Sequence, residues 1–190
     1  MKAHSLFAAA VFIAGALFAG GCGKAEATSE AGTRVYAFDT SGSAKDVHEQ
    51  FFNRGMHDMT GGDGRAKFVV YRFDITPQEA YQGESFGNDE EVAKMLKGTF
   101  DRSAGAKGTN LLKLFQSVDQ RLPEWNKPIS IRVYTDCGTE LMSKAEFKQL
   151  KALTQKWLDQ GVNPQISFVG VDTGHRETLR NHLAFPVEIE

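Results

Sequence analysis

Cysteine is scarce: the 190 residues hold two, Cys22 and Cys137. No thiolate cluster therefore accompanies the histidines, and His48 and His57 read as surface or core side chains rather than metal ligands. A basic excess is missing too. Lys and Arg number 22 against 24 Asp and Glu, a net charge of −2, which leaves nothing to neutralise phosphates and excludes nucleic acid as a partner. No internal repeat is visible. Gly61-Gly62-Asp63-Gly64 is followed by no Lys-Ser or Lys-Thr at the required spacing, so it is a turn and not a phosphate loop. Long apolar runs are absent as well: the charge-free stretch Leu6 to Ala19 is too short for a membrane span and reads as a secretory signal. What remains is enough chain for one domain of ordinary size with its own core, plus a tail.

The tail is informative. Met1-Lys2 with His4 gives a short basic start, and the apolar run closes on Phe18-Ala19-Gly20-Gly21-Cys22. Small residues directly before a cysteine resemble the bacterial lipobox, with Ala19 where that pattern carries a larger aliphatic residue. The resemblance implies a lipoprotein signal over 1–21, an acylated Cys22 as the mature N-terminus, and a tether over 22–33 ahead of a domain over 34–190. Gly23 in place of Asp resembles the signal for transfer to the outer membrane in Gram-negative cells. The expected location is the bacterial cell envelope, lipid-anchored. Small polar residues from Gly23 to Thr33 make a flexible tether; about eleven residues reach roughly 35–40 Å. With Cys22 acylated, Cys137 has no partner for a disulfide, so in an oxidising compartment it has to be buried or protected.

Hydrophobic periodicity orders the rest. Arg34 to Phe38, Lys67 to Phe73, Ile129 to Asp136 and Gln165 to Asp172 are β-branched or aromatic runs that read as strands. A short edge strand is expected within Pro77–Asn88 and another over Pro186–Glu190. Val47, Phe51, Phe52, Met56 and Met59 recur at helical spacing, with Ser43 placed to cap that helix. Residues 89–98 open with three acids and close on lysines, as a helix dipole favours. Leu111, Phe115, Val118 and Leu122 form a third apolar face. Ser143-Lys144-Ala145-Glu146 is a capping box before Phe147, Leu150, Leu153, Trp157 and Leu158, and Gly161 stops that helix. A short helix from Arg176 to Phe185 follows. Strands alternating with helices give an α/β fold, doubly wound, with a mostly parallel sheet covered on both faces and one short antiparallel edge strand.

Three places at strand ends or helix starts carry oxygen ligands. The first strand runs into Asp39-Thr40-Ser41-Gly42-Ser43. Gly108-Thr109-Asn110 precedes the third apolar helix, and Ile129 to Tyr134 runs into Thr135-Asp136-Cys137-Gly138. Open α/β sheets hold their ligands at such C-terminal strand edges, and an oxygen-only set suits a hard divalent cation. Asp-x-Ser-x-Ser, Gly-Thr-Asn and Thr-Asp in this order resemble the metal-ion-dependent adhesion site of von Willebrand factor type A domains, and the resemblance spans the whole domain. One departure is Cys137, which either replaces the glycine after Thr-Asp or is inserted before Gly138. Asp172, at the end of a later strand, reads as a turn former.

The resemblance implies magnesium, with manganese or calcium as alternatives, held directly by Ser41, Ser43 and Thr109. Asp39 and Asp136 would act through water or as orienting groups. It also implies a non-enzymatic adhesion or scaffold domain whose ion is completed by a Glu or Asp from a protein partner. Two alternatives stand beside it. A metal-dependent, phosphatase-like hydrolase would need a second acid two residues after Asp39, where Ser41 stands; a serine hydrolase would need a G-x-S-x-G elbow, which neither Ser41 nor Ser43 has. The other alternative is a binding domain of the same fold that uses no metal.

Overall fold

The computed structural model describes residues 32–60, 65–101, 108–137 and 142–190. The expected signal, Cys22, most of the tether, the Gly61–Gly64 turn, Gly105 and Gly138 lie outside the described residues. In chain order the elements are β1 (Thr33–Asp39), α1 (His48–Thr60), β2 (Lys67–Phe73), β3 (Gln78–Glu84), α2 (Asp89–Asp101), α3 (Leu111–Arg121), β4 (Ile129–Tyr134), α4 (Lys144–Asp159), β5 (Gln165–Val169), α5 (Thr173–His182) and β6 (Val187–Ile189). Short 3-10 turns over Ser43–Val47 and Leu122–Glu124 precede α1 and follow α3. Among the described residues no helix is long and apolar enough to cross a membrane.

The strands form one six-stranded sheet in the order β3-β2-β1-β4-β5-β6, parallel except for the β2–β3 pair. The near-continuous apolar reading of the central strands follows from burial on both faces. In β1, Val35 and Ala37 point into one core with Leu114, Phe115, Leu150 and Trp157, whereas Tyr36 and Phe38 point into the other with Phe51, Met59, Val92 and Leu96. Thus α3, α4 and α5 cover one face, and α1 and α2 the other. Phe38 stacks on its register partner Tyr134 with ring centroids 4.4 Å apart. Gly55 of α1 sits so close to Phe38 that an added Cβ would meet its ring at 2.9 Å.

The chain winds outward from β1 through β2 to β3, then returns to the centre and winds the other way through β4, β5 and β6. The reversal falls between β1 and β4, whose C-terminal ends carry Asp39 and Thr135-Asp136. At a reversal of this kind the two following loops leave toward opposite faces and open a crevice.

Several expectations shift by small amounts. The sheet begins at Thr33, the residue assigned to the end of the tether, which is fully buried and bonds through its N–H to the carbonyls of Asn126 and Pro128. The second helix runs on to Asp101, because Thr99 is buried and Phe100 packs against Phe38. The edge strand between Pro77 and Asn88 is present as β3 and is the antiparallel one. The capping box is formed on both sides, and Gly161 takes the left-handed conformation (φ 69°) after α4 ends. Asp172 is the N-cap of α5, accepting from the N–H of Gly174.

Candidate metal centre

The Asp-x-Ser-x-Ser loop owes its shape to one carboxylate. Asp39 is fully buried at the end of β1. Its Oδ1 accepts the N–H of Ser41 at 2.9 Å, closing a turn in which the side chain folds back on its own backbone. Thr40 continues the sheet outward, donating its N–H to the carbonyl of Phe73 at 2.8 Å. The turn therefore leaves the sheet with Ser41 directed inward.

The other oxygen of Asp39 gathers the distant loops. Oδ2 accepts from Thr109 Oγ1 at 2.8 Å and from Thr135 Oγ1 at 2.6 Å. Thr109 Oγ1 also lies 3.2 Å from Ser41 Oγ, and Ser41 Oγ lies 3.1 Å from Ser43 Oγ. Asp39, Ser41, Ser43 and Thr109 are thus one hydrogen-bonded group. The loop of Thr109 is positioned by Gly108, whose φ of 120° is open only to glycine, and by Asn110, whose N–H donates to the carbonyl of Asp74 at 3.0 Å.

One local expectation is corrected here. Ser43 does not cap the first helical turn; Gly42 stands at the cap, no side chain bonds there, and the Ser43 hydroxyl faces Ser41 instead. Thr109 is not the N-cap of α3. Asn110 is, with its Oδ1 accepting the N–H of Lys113 at 3.0 Å, which leaves the Thr109 hydroxyl for Asp39. At Thr109 a buried carboxylate takes the hydroxyl in preference to a backbone cap, since bonds to ionised groups are the stronger ones.

Asp136 follows Thr135 at the end of β4 and is half-buried. Its carboxylate acts on the same two groups as that of Asp39. Burial lowers the pKa of His48, and both Asp39 and Asp136 oppose that shift. Burial pushes the Cys137 thiol well up, and the same two carboxylates push it further. Cys137 is fully buried and has φ 58°, the left-handed conformation that glycine adopts freely. It thus occupies the backbone role of the glycine expected after Thr-Asp, and its N–H is held by Thr135 Oγ1 at 2.9 Å.

Thr135 is the site residue that sequence reasoning missed. A threonine ending a β-branched strand carries no mark distinguishing it from its neighbours. The available signal was its position immediately before Asp136, at the strand end next to β1.

The electrostatics are one-sided. Burial raises the pKa of Asp39, and hydrogen bonds from Ser41, Thr135 and Thr109 oppose that shift. Among the described residues no lysine or arginine pairs with it. A buried carboxylate stabilised by dipoles alone lacks a counter-charge. Magnesium fits the donor set: ligand oxygens at right angles around it lie about 3 Å apart, given bonds of about 2.0–2.1 Å. The hydroxyl separations of 3.1 and 3.2 Å match that spacing. Among the described residues no cluster of three or more His, Cys, Asp or Glu offers a rival metal site.

No family model and no curated protein matches the sequence. Solved structures do match the fold. One is a von Willebrand factor type A protein from Catenulispora acidiphila, with TM-score 0.58 and 16% identity, covering 84% of this chain and 38% of that one. Another is proximal thread matrix protein 1 from the mussel byssus with a zinc-occupied metal-ion-dependent adhesion motif, with TM-score 0.58 and 14% identity over 84% of this chain and 43% of that one. A third is an aerotolerance-related membrane protein from Bacteroides fragilis carrying mutations to serine, with TM-score 0.52 and 17% identity over 73% and 67%. The architecture is that of von Willebrand factor type A domains. The chain spans about two fifths of the length of the first two neighbours.

Proposed function

We propose that this chain is a divalent-metal-dependent protein-binding domain of the cell envelope, an adhesion or scaffold module rather than an enzyme. The observation that carries the reading is the buried Asp39 carboxylate, gathered by hydroxyls from three loops and given no cation among the described residues. Ser41, Ser43 and Thr109 would hold magnesium directly, with manganese or calcium as substitutes, while Asp39 and Asp136 balance its charge and orient the hydroxyls. The ion supplies a positive charge with one coordination position free for the Glu or Asp of a protein partner. The neighbour with zinc in its adhesion motif supports metal use at this place in the fold.

The same geometry favours binding over hydrolysis. Ser41 and Ser43 find each other and Thr109 as hydrogen-bond partners among the described residues, not a histidine. A serine nucleophile needs such a base. Titration calorimetry of the wild-type chain with magnesium and manganese tests the reading, with Asp39→Asn as the control. Heat from the wild type and none from the variant is expected. A silent wild type, or a variant that binds equally well, overturns the assignment.

Anchoring through an acylated Cys22 is the second part of the proposal. It rests on the sequence Ala19-Gly20-Gly21-Cys22. The envelope setting is in keeping with the membrane protein among the structural neighbours. Mass spectrometry of the mature N-terminus should find a diacyl- or triacyl-glyceryl cysteine at position 22; an unmodified residue there, or cleavage elsewhere, removes the anchor.

A further inference from the structure

We infer that Asn110 and Glu146 form a latch that positions Thr109 for the metal, an inference that rests on the magnesium reading above. Asn110 uses each of its polar groups on a different task. Its N–H holds the loop after β2 through the carbonyl of Asp74, its carbonyl accepts the N–H of Leu114 at 3.3 Å, and its Oδ1 caps α3. Its Nδ2 donates to Glu146 Oε1 at 2.9 Å. The orientation of the amide is fixed by this set: turned over, it would set an NH2 against the N–H of Lys113 and an oxygen against a carboxylate.

Glu146 is the other half. Its Oε2 accepts from both the N–H and the hydroxyl of Ser143, at 2.7 and 2.9 Å, while its Oε1 takes Asn110. These three donors hold its carboxyl below the usual carboxylate range, the Ser143 N–H foremost. One carboxylate therefore ties the segment bearing Thr109 to the first turn of α4, the helix that follows Asp136 and Cys137 in the chain. Three of the ligand-bearing segments are then cross-braced. Asp39 joins the β1 loop to Thr109 and Thr135 from inside, and Glu146 joins the Thr109 segment to α4 from outside. The bonds of Asn110 and Glu146 run to each other and to Lys113, Ser143 and the backbone rather than to the hydroxyls of Ser41, Ser43 or Thr109, so both act as positioning residues.

Charge makes the test decisive. Asn110→Asp keeps the cap of α3 but sets a carboxylate against Glu146. The added negative charge by itself would tighten cation binding, so weaker binding reports the broken latch. The charge-conserving double variant Asn110→Asp with Glu146→Gln reverses the polarity of the bond: the introduced amide donates to the introduced carboxylate, and its carbonyl still accepts the Ser143 N–H. With magnesium as the probe and the full chain in calorimetry, the single variant should bind about tenfold more weakly and the double variant should regain most of that loss. Thermal melting in chelator separates folding from binding and should show each variant folded. Binding by the single variant that is unchanged or tighter overturns the latch while leaving the metal site standing. So does a double variant that recovers nothing. A wild type that takes up no magnesium overturns both.

Discussion

Asp39 and Asp58 are both withdrawn from solvent and both engaged by several donors, yet the molecule treats them in opposite ways. Asp58, on α1, is 12% exposed. Arg132 meets it at 2.7 Å and Arg54 at 3.5 Å, and Tyr134 donates its hydroxyl at 2.7 Å. Glu190 extends the network by pairing with both arginines. Burial, and after it the nearby Asp58 charge, push the Tyr134 hydroxyl far above its ordinary range, so it stays a donor. Asp39 receives hydroxyls and an amide and no cation among the described residues. One carboxylate carries its counter-charges within the fold and locks α1 to the sheet. The other has donors arranged around it and its charge left over. The fold supplies arginines to one buried acid and, among the described residues, none to the acid at the switch point, which is in keeping with the metal site proposed above.

The comparison is broken most completely at Asp39. Replacing it with Asn should remove magnesium binding altogether, and with it the stabilisation by bound ligand, about 2.7 kcal/mol at a hundredfold excess over Kd. Without metal the sign reverses. The pKa of Asp39 is raised in the fold, so the folded protein holds a proton more tightly than the unfolded chain. In chelator its contribution therefore improves as pH falls through the folded pKa toward the ordinary carboxylate value of about 3.9, and worsens as pH rises through that window. Asn has no such dependence. Melting curves should cross: in chelator at neutral pH the variant is at least as stable as the wild type, and in saturating magnesium it is less stable. A variant that is less stable in both, by the same margin, would mean that Asp39 is structural like Asp58.

Asp58→Ala should give the opposite pattern. It strands Arg132, which is 22% exposed, and the Tyr134 hydroxyl. Breaking a fully buried pair costs about 3–5 kcal/mol, and partial exposure here reduces that to about 2 kcal/mol. Urea unfolding should show this loss with and without magnesium alike, and the metal affinity should stay within about twofold of wild type. An effect that vanished on adding metal would couple the two carboxylates and dissolve the distinction between them.

How much of this was readable in advance divides along the same line. The central strands were legible because both faces are covered, so Val35, Ala37, Phe38, Val69, Val70 and Val133 form apolar runs that little else explains. The capping box of α4 was legible because its parts are three residues apart. Asp39, Ser41, Ser43 and Thr109 were legible through local spacing and a resemblance, and they are in contact. What escaped was every feature made by distant pairs competing with local ones. Ser43 reads as a helix cap, but Gly42 stands at that position and the Ser43 hydroxyl faces Ser41. Thr135 reaches Asp39 across 96 residues and Asn110 reaches Glu146 across 36. The Asp58 network joins α1, β4 and Glu190, which no periodicity connects. Cys137 looked like an odd residue in a glycine's place, and only its backbone angle shows that it has taken the glycine's conformation.

Cys137 gives the smallest expected effect and sharpens the comparison from a third side. Like His48, it feels both site carboxylates, and an ionised thiol would add to an already uncompensated charge; burial and those carboxylates keep it protonated. Cys137→Gly relieves a left-handed residue, worth about 1–2 kcal/mol. It also loses a fully buried thiol side chain, costing about 1 kcal/mol, and adds freedom to the unfolded chain, costing about 0.5–1 kcal/mol. These offset, so the urea midpoint should shift by less than about 1 kcal/mol in free energy, and magnesium affinity should change by less than about threefold. In a chain with Cys22 replaced by Ser, a thiol reagent should label Cys137 at the rate of unfolding and no faster. Rapid labelling of the folded protein, suppressed by magnesium, would instead place a reactive, metal-gated thiol beside Asp39, and the chemistry of the site would then extend beyond oxygen ligands.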